Sequence, residues 1–188
     1  SDLAEFDPEY INAIELGLKS RFLSDTAQAN VTYFYYDYEG LQVGKITNQT
    51  AVNENYDAAI HGFEGEFIWL PDMHWRVSAS VALLDATLDG GQSVDPANIN
   101  QLGTTEYIIK GPISNIYAGP GCPGGTPTCE GLPVELDGNT LPNAPEFSVN
   151  FGVGYTWPLK NGMALVAATN YYWQDKFYTR VFNAPNDK

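Results

Sequence analysis

The chain has 188 residues and carries 23 acidic against 9 basic side chains, a formal net charge of −14. That acidity excludes a nucleic-acid binder, which needs a basic footprint. Aromatic residues at 13% with charged residues at only 17% exclude an intrinsically disordered chain.

No stretch supplies about 20 predominantly apolar residues in a row, so no transmembrane helix is predicted. The start lacks a basic region followed by an apolar one, so no signal peptide is visible. Ser1 to Glu9 reads as the middle of a loop, either a mature N-terminus or the cut edge of something larger.

From there the hydrophobic period is two, the signature of strands with two chemically different faces. Six strands are predicted. In the first, about Ile11–Phe22, Ile14, Leu16, Leu18 and Phe22 share a face opposite Glu15, Lys19 and Arg21. In the second, about Ala27–Asp37, Ala29, Val31, Tyr33 and Tyr35 oppose Gln28, Asn30, Thr32, Phe34 and Tyr36. The third, about Ala59–Trp69, sets Phe63, Phe67 and Trp69 against Gly62, Glu64 and Glu66; the fourth, about His74–Leu84, sets Trp75, Val77, Ala79, Val81 and Leu83 against Arg76, Ser78 and Ser80. In the fifth, Phe147, Val149, Phe151, Val153, Tyr155 and Trp157 alternate with Ser148, Asn150, Gly152, Gly154 and Thr156. The sixth, about Met163–Lys176, pairs Leu165, Ala167, Tyr171 and Trp173 against Asn170, Tyr172, Gln174 and Lys176.

The connections alternate in length. Short turns follow strands one, three and five; long connections, about 38–58 and 85–145, follow strands two and four. Short turns at one end and long loops at the other are expected of outer-membrane barrels. Phe22, Trp69, Trp75 and Trp157 all stand beside the short turns and on the apolar face, as a lipid-interface aromatic girdle would. Most acids fall in the leading segment, the long connections and the tail. Of the rest, Glu15, Asp25, Glu64, Glu66 and Asp72 all avoid the apolar face. Glu15, Glu64, Glu66 and Arg76 are therefore expected to face a lumen, with Arg76 available to pair the two neighbouring glutamates. Six strands cannot close a membrane barrel, whose smallest familiar form has about eight.

Several other features read as bland. Glu64 and Glu66 are spaced like paired carboxylates, but nothing marks the sugar cleft and split acidities a glycosidase needs. No nucleophile elbow, phosphate loop or His-Glu-x-x-His motif is present, so neither an enzyme nor a cofactor is predicted. Cys122 and Cys129 sit in a Gly/Pro-rich loop, where a local disulfide in an oxidising compartment is expected; a zinc site would need two further ligands. Asp85, Asp89 and Asp95 lack calcium-loop spacing. Asn30-Val31-Thr32 and Asn48-Gln49-Thr50 match a glycosylation pattern by chance.

Phe6-x-Pro8-Glu9 followed by Glu15-x-Gly17-x-Lys19, then Tyr33-Phe34-Tyr35-Tyr36-x-Tyr38 leading through Leu41-Gln42-Val43, resemble the wall strands of TonB-dependent outer-membrane receptors. Gly62-Phe63-Glu64-x-Glu66, Leu141-Pro142-Asn143-Ala144-Pro145-Glu146 and Tyr171-Tyr172-Trp173-Gln174-Asp175-x-Phe177-Tyr178 continue the resemblance in order. It covers nearly the whole chain apart from an insertion around 113–135. The fold it implies is all-β: an antiparallel up-and-down transmembrane barrel segment, about six strands of a barrel of about 22. The N-terminal plug and the short box that contacts the TonB energy-coupling complex have no counterpart here, so this stretch resembles a late portion of the wall.

The resemblance implies outer-membrane lipid around the barrel, the receptor's own plug, the TonB complex reached through it, and a small-molecule ligand such as a siderophore complex, cobalamin or oligosaccharide. Ligand contacts are expected from loop-borne aromatics and a cation: Tyr107, Tyr117, Trp173, Phe177, Tyr178 and Arg180. The acidic exterior disfavours an anionic ligand. Two rivals stay open on the residues alone, a passive outer-membrane channel and a secreted β-sandwich binding module.

Overall fold

The computed structural model describes residues 7–47, 50–95, 97 and 133–188. Eight strands run in chain order: β1 Tyr10–Phe22, β2 Ala27–Thr47, β3 Thr50–Trp69, β4 Trp75–Leu88, β5 Gln92–Val94, β6 Pro133–Glu135, β7 Phe147–Pro158 and β8 Ala164–Gln174. Six form one antiparallel sheet in the order β1-β2-β3-β4-β7-β8, while β5 and β6 pair separately. The main sheet is an up-and-down meander: each strand pairs with the strand before it, apart from the insertion between β4 and β7. The all-β antiparallel expectation and its six long strands hold.

At one end, hereafter the turn end, the links are short. Thr26 closes the first by donating its amide and hydroxyl to the Leu23 carbonyl at 3.2 and 2.7 Å. In the second, one carboxylate oxygen of Asp72 accepts from the amides of His74 and Trp75 at 2.7 and 3.0 Å. These bonds favour the ionised form and hold the Asp72 carboxyl below its ordinary range. The third turns through Asn161 and Gly162, both at positive φ.

The opposite, loop end departs from expectation. Residues 38–58 do not form a loop: β2 and β3 continue as a ladder to Thr47 and Thr50. A bulge puts Glu39 and Gly40 opposite Asp57, and pairing resumes at Leu41↔Tyr56. Gly40 holds φ at +71°, where a side chain is strained, and its amide donates to Asp57 Oδ1 at 2.9 Å. One extra residue reverses the alternation, so a period-two reading breaks there although the strand continues. The 85–145 connection is likewise partly built. β4 runs on to Leu88, β5 pairs β6, and Thr140 bridges Thr87 beside β4.

The buried core lies at this loop end. Ala58, Ala86 and Leu88 share one face of β3 and β4 and pack with Tyr56, Val134, Leu136, Leu141, Val181 and Phe182. Directly paired residues share a face and alternate along a strand. This is therefore the same face that carries Glu64 and Glu66 farther toward the turn end.

Candidate functional site

The sheet's two faces are the feature to which a function attaches. Following the pairing across all six strands, Leu18, Val31, Gly65, Val81, Val149 and Trp173 form one continuous row. The next row on that face toward the turn end is Ser20, Ala29, Phe67, Ala79, Phe151 and Tyr171. The apolar sides of all six strands thus fall on one face, in register.

Phe22, Trp69, Trp75 and Trp157 lie at the turn end of this apolar face, each 37–43% exposed. They are joined by a residue that the sequence reading placed on the face but not in the girdle. Tyr155 meets Trp75 edge-on at 4.6 Å and Trp157 at 4.5 Å, and His74 stacks on it at 5.8 Å. Such offset and edge-to-face contacts are the favoured geometries for aromatic pairs. Tyr155 stands two residues before Trp157 and opposite Trp75, so the alternation carried the signal. Toward the loop end, a second set of rings includes Tyr33 with Phe63 at 4.9 Å and Phe147 with Trp173 at 5.6 Å. Between Phe147 and Trp157 the strand rises about 33 Å at ~3.3 Å per residue. A tilt of about 40° reduces that to roughly 25 Å of height, the thickness of the apolar band on an outer-membrane barrel.

The other face is polar. The Tyr36 hydroxyl donates to Glu15 Oε1 at 2.6 Å, and Asn30 donates to Glu66 Oε2 at 3.2 Å. The expected pairing of Glu64 and Glu66 with Arg76 does not form. Those glutamates stand opposite Ala82 and Ser80, whereas Arg76 lies nearer the turn end, opposite Gly154. Two glycines make room on this face. A Cβ on Gly62 would collide with the Leu83 carbonyl oxygen and stand 2.8 Å from the Phe34 ring; one on Gly152 would meet the side chains of Asn170 and Ser78.

The ligand-contact candidates separate. Tyr107 and Tyr117 lie outside the described residues, as do Cys122 and Cys129. Trp173 stands in β8 on the apolar face against Phe147, aimed by its strand register. Phe177 and Tyr178 are half-buried just past β8, and the Lys188 ammonium stands 4.4 Å from the Tyr178 ring centre.

Arg180 is not a free cation. Its Nη1 donates to Asp95 Oδ1 at 2.6 Å, and its Nη2 and Nε donate to Asp187 Oδ1 at 2.6 and 2.7 Å. Partial burial alone would lower its pKa, but the two carboxylates outweigh that and hold it above the ordinary value. Asp85 lies on the apolar face beside His61, far in character from the sequestered Asp95. No metal-ligand cluster occurs among the described residues. Nor does any helix there have the length and apolarity to cross a membrane, which says nothing about strands.

Residues 2–187 match the family model described as TonB dependent receptor-like, beta-barrel. No curated protein matches the chain significantly. With the match spanning nearly every residue, and with an antiparallel sheet of two contrasting faces, the chain belongs to the TonB-dependent receptor β-barrel family, a family of outer-membrane receptors.

Proposed function

We propose that this chain is part of the barrel wall of a receptor that takes up a scarce ligand across the outer membrane with energy coupling. The observation that carries the reading is the register-aligned apolar face with aromatic rings at its turn end. In this reading Phe22, Trp69, Trp75 and Trp157, with Tyr155, meet lipid at the periplasmic boundary. Glu15, Glu64, Glu66 and Arg76 face the lumen and the receptor's plug, and residues 85–145 belong to the external side. The partners are outer-membrane lipid, the plug, the TonB complex acting through it, and a small-molecule ligand. The role is transport, not catalysis.

Among siderophore complexes, cobalamin and oligosaccharides, the acidity of the loop end favours a ligand without net negative charge. The expected Cys122–Cys129 disulfide would staple the external insertion. Energy coupling is tested with cells carrying the whole receptor, offered a ferric hydroxamate, cobalamin or a neutral oligosaccharide in turn. Accumulation of one that stops when the proton-motive force is collapsed supports the reading. Accumulation that continues unchanged identifies a passive channel instead.

A further inference from the structure

The ring set at the loop end of the apolar face has a gap. Tyr33, Phe63, Leu83 and Phe147 form one row across β2, β3, β4 and β7. Tyr33 packs on Phe63 and Trp173 packs on Phe147, while Leu83 stands between the two pairs without a ring. Here β3 and β4 stay paired as far as Ala58 and Leu88, whereas the β4–β7 ladder begins at Leu83↔Phe147. The sheet therefore leaves a notch beside β4. Phe63, Leu83 and Phe147 line it on the apolar side, and His61, Asp85, Glu146 and Asp175 line it toward the loop end. Its volume is about 330 Å³, the scale of a small-molecule site.

The rim is acidic. Asp85 pairs with His61 across the strands and shares the apolar side with Leu83, and Asp175 donates its amide to the Phe147 carbonyl at 2.8 Å. Asp85, Glu146 and Asp175 are all exposed, and among the described residues none of them pairs with a lysine or arginine. The ionic contact of Asp85 is to His61 Nε2 at 3.7 Å. Since Phe147 and Trp157 bound the apolar band, these carboxylates stand at its limit, opposite the girdle. At that level a lipid passes from chain to headgroup, and the sign of the surface charge selects which headgroup is held.

We propose that the notch seats one bilayer lipid whose headgroup ends in a primary amine. The ammonium lies among Asp85, Glu146 and Asp175, and the first carbons of the chains run along Leu83 between Phe63 and Phe147. The inference rests on the lipid-facing assignment proposed above, which puts the notch in the outer leaflet. An ammonium brings three donors, and its hydrogen bonds to ionised carboxylates are of the strong, charge-assisted kind. A headgroup with a phosphate and no amine meets like charge there instead.

Native mass spectrometry of the whole receptor in detergent micelles tests this, with phosphatidylethanolamine or phosphatidylglycerol of matched chains as probes. Phosphatidylethanolamine is expected to be retained about tenfold more strongly, as two or three exposed ion pairs would give. Asp85→Asn with Asp175→Asn should erase that preference. Asp37→Asn, on the same face but outside the notch, should leave it intact. Equal retention of both lipids by the parent, or a preference that survives the double variant, overturns the notch. So does an equal loss in Asp37→Asn, which would mark a general charge effect.

If the double variant does not assemble, Asp175→Asn alone should lower the preference by part of that factor, and no change overturns the proposal. Displacement of the bound lipid by glycerophosphoethanolamine, which has no chains, overturns a lipid as the occupant. Retention of neither lipid, together with normal bilayer assembly of Val153→Arg, overturns the lipid-facing assignment and the notch with it. Loss of the preference while Val153→Arg still blocks assembly overturns the notch alone.

Discussion

The two faces of the sheet invert the usual relation between apolarity and burial. On the apolar face Leu16 and Leu18 remain 74% and 69% exposed, while on the opposite face Ala58, Ala86 and Leu88 are almost completely buried. A sheet stabilised in water covers its apolar side. Here the covered apolar cluster is local, confined to the loop end, and the long apolar side is left to its surroundings. The lipid contact proposed above would account for this, because a side chain next to hydrocarbon needs no protein partner. The face that does need built contacts is the polar one, where hydroxyls, amides and carboxylates bond across strands.

The most severe challenge to this contrast is a charge placed on each face at similar depth. Val153→Arg, in the middle of the apolar face, should block assembly into bilayers, since a cation at the midplane costs about 2–4 kcal/mol. Asn150→Arg, on the polar face of the same strand, should assemble nearly as the parent does. The shift in gel mobility between folded and heated protein reads both, and equal behaviour would mean that the two faces see the same solvent.

Steric room on the polar face gives the next effect. Gly62→Ala should lower stability by about 1–3 kcal/mol, because its Cβ meets a backbone carbonyl that cannot swing aside. Gly152→Ala meets only the side chains of Asn170 and Ser78, which can rotate, so its loss should be clearly smaller. Urea midpoints in lipid vesicles would rank them.

Among the girdle rings, Tyr155→Ala should cost more than Tyr172→Ala on the polar face. The former breaks two edge-on contacts worth roughly 0.5–1.5 kcal/mol each. Comparable losses in an unfolding titration would deny the girdle any packing role. The smallest effect belongs to the β3–β4 turn. Since the Asp72 carboxyl is held low by its bonds to His74 and Trp75, its contribution is present above its unfolded pKa and fades as pH falls through the lower folded value. Exchange protection of the His74 and Trp75 amides should therefore weaken on acidification, and Asp72→Asn should flatten that dependence.

Strand alternation made the apolar face legible from sequence. Phe22, Trp69, Trp75 and Trp157 could be assigned to one end and one side before any coordinates because each sits beside a short turn. The method stopped at Glu39–Gly40, where a single extra residue reverses the alternation and a continuing strand imitates a loop. Three-residue strands such as β5 and β6 are too short to show a period at all. The ion pairs of Arg180 were hidden for another reason: its partner Asp95 is 85 positions away, and nothing local distinguishes a paired guanidinium from an unpaired one.

The small β5–β6 sheet also shapes how the wall can form. Leu83 and Phe147, the loop-end pair of the β4–β7 ladder, are separated by the longest connection in the chain. Closing a loop of that length from open chain costs on the order of 4 kcal/mol in entropy beyond a constant. Pairing Gln92–Val94 with Pro133–Glu135, followed by the bond from the Leu88 amide to Asn139, takes up most of that separation first. Only a few residues past Leu141 then remain before β7, a closure about 2 kcal/mol easier. The junction most remote in sequence can thus zip almost as a hairpin does, and the rate of wall formation passes to a pair of three-residue strands outside the wall.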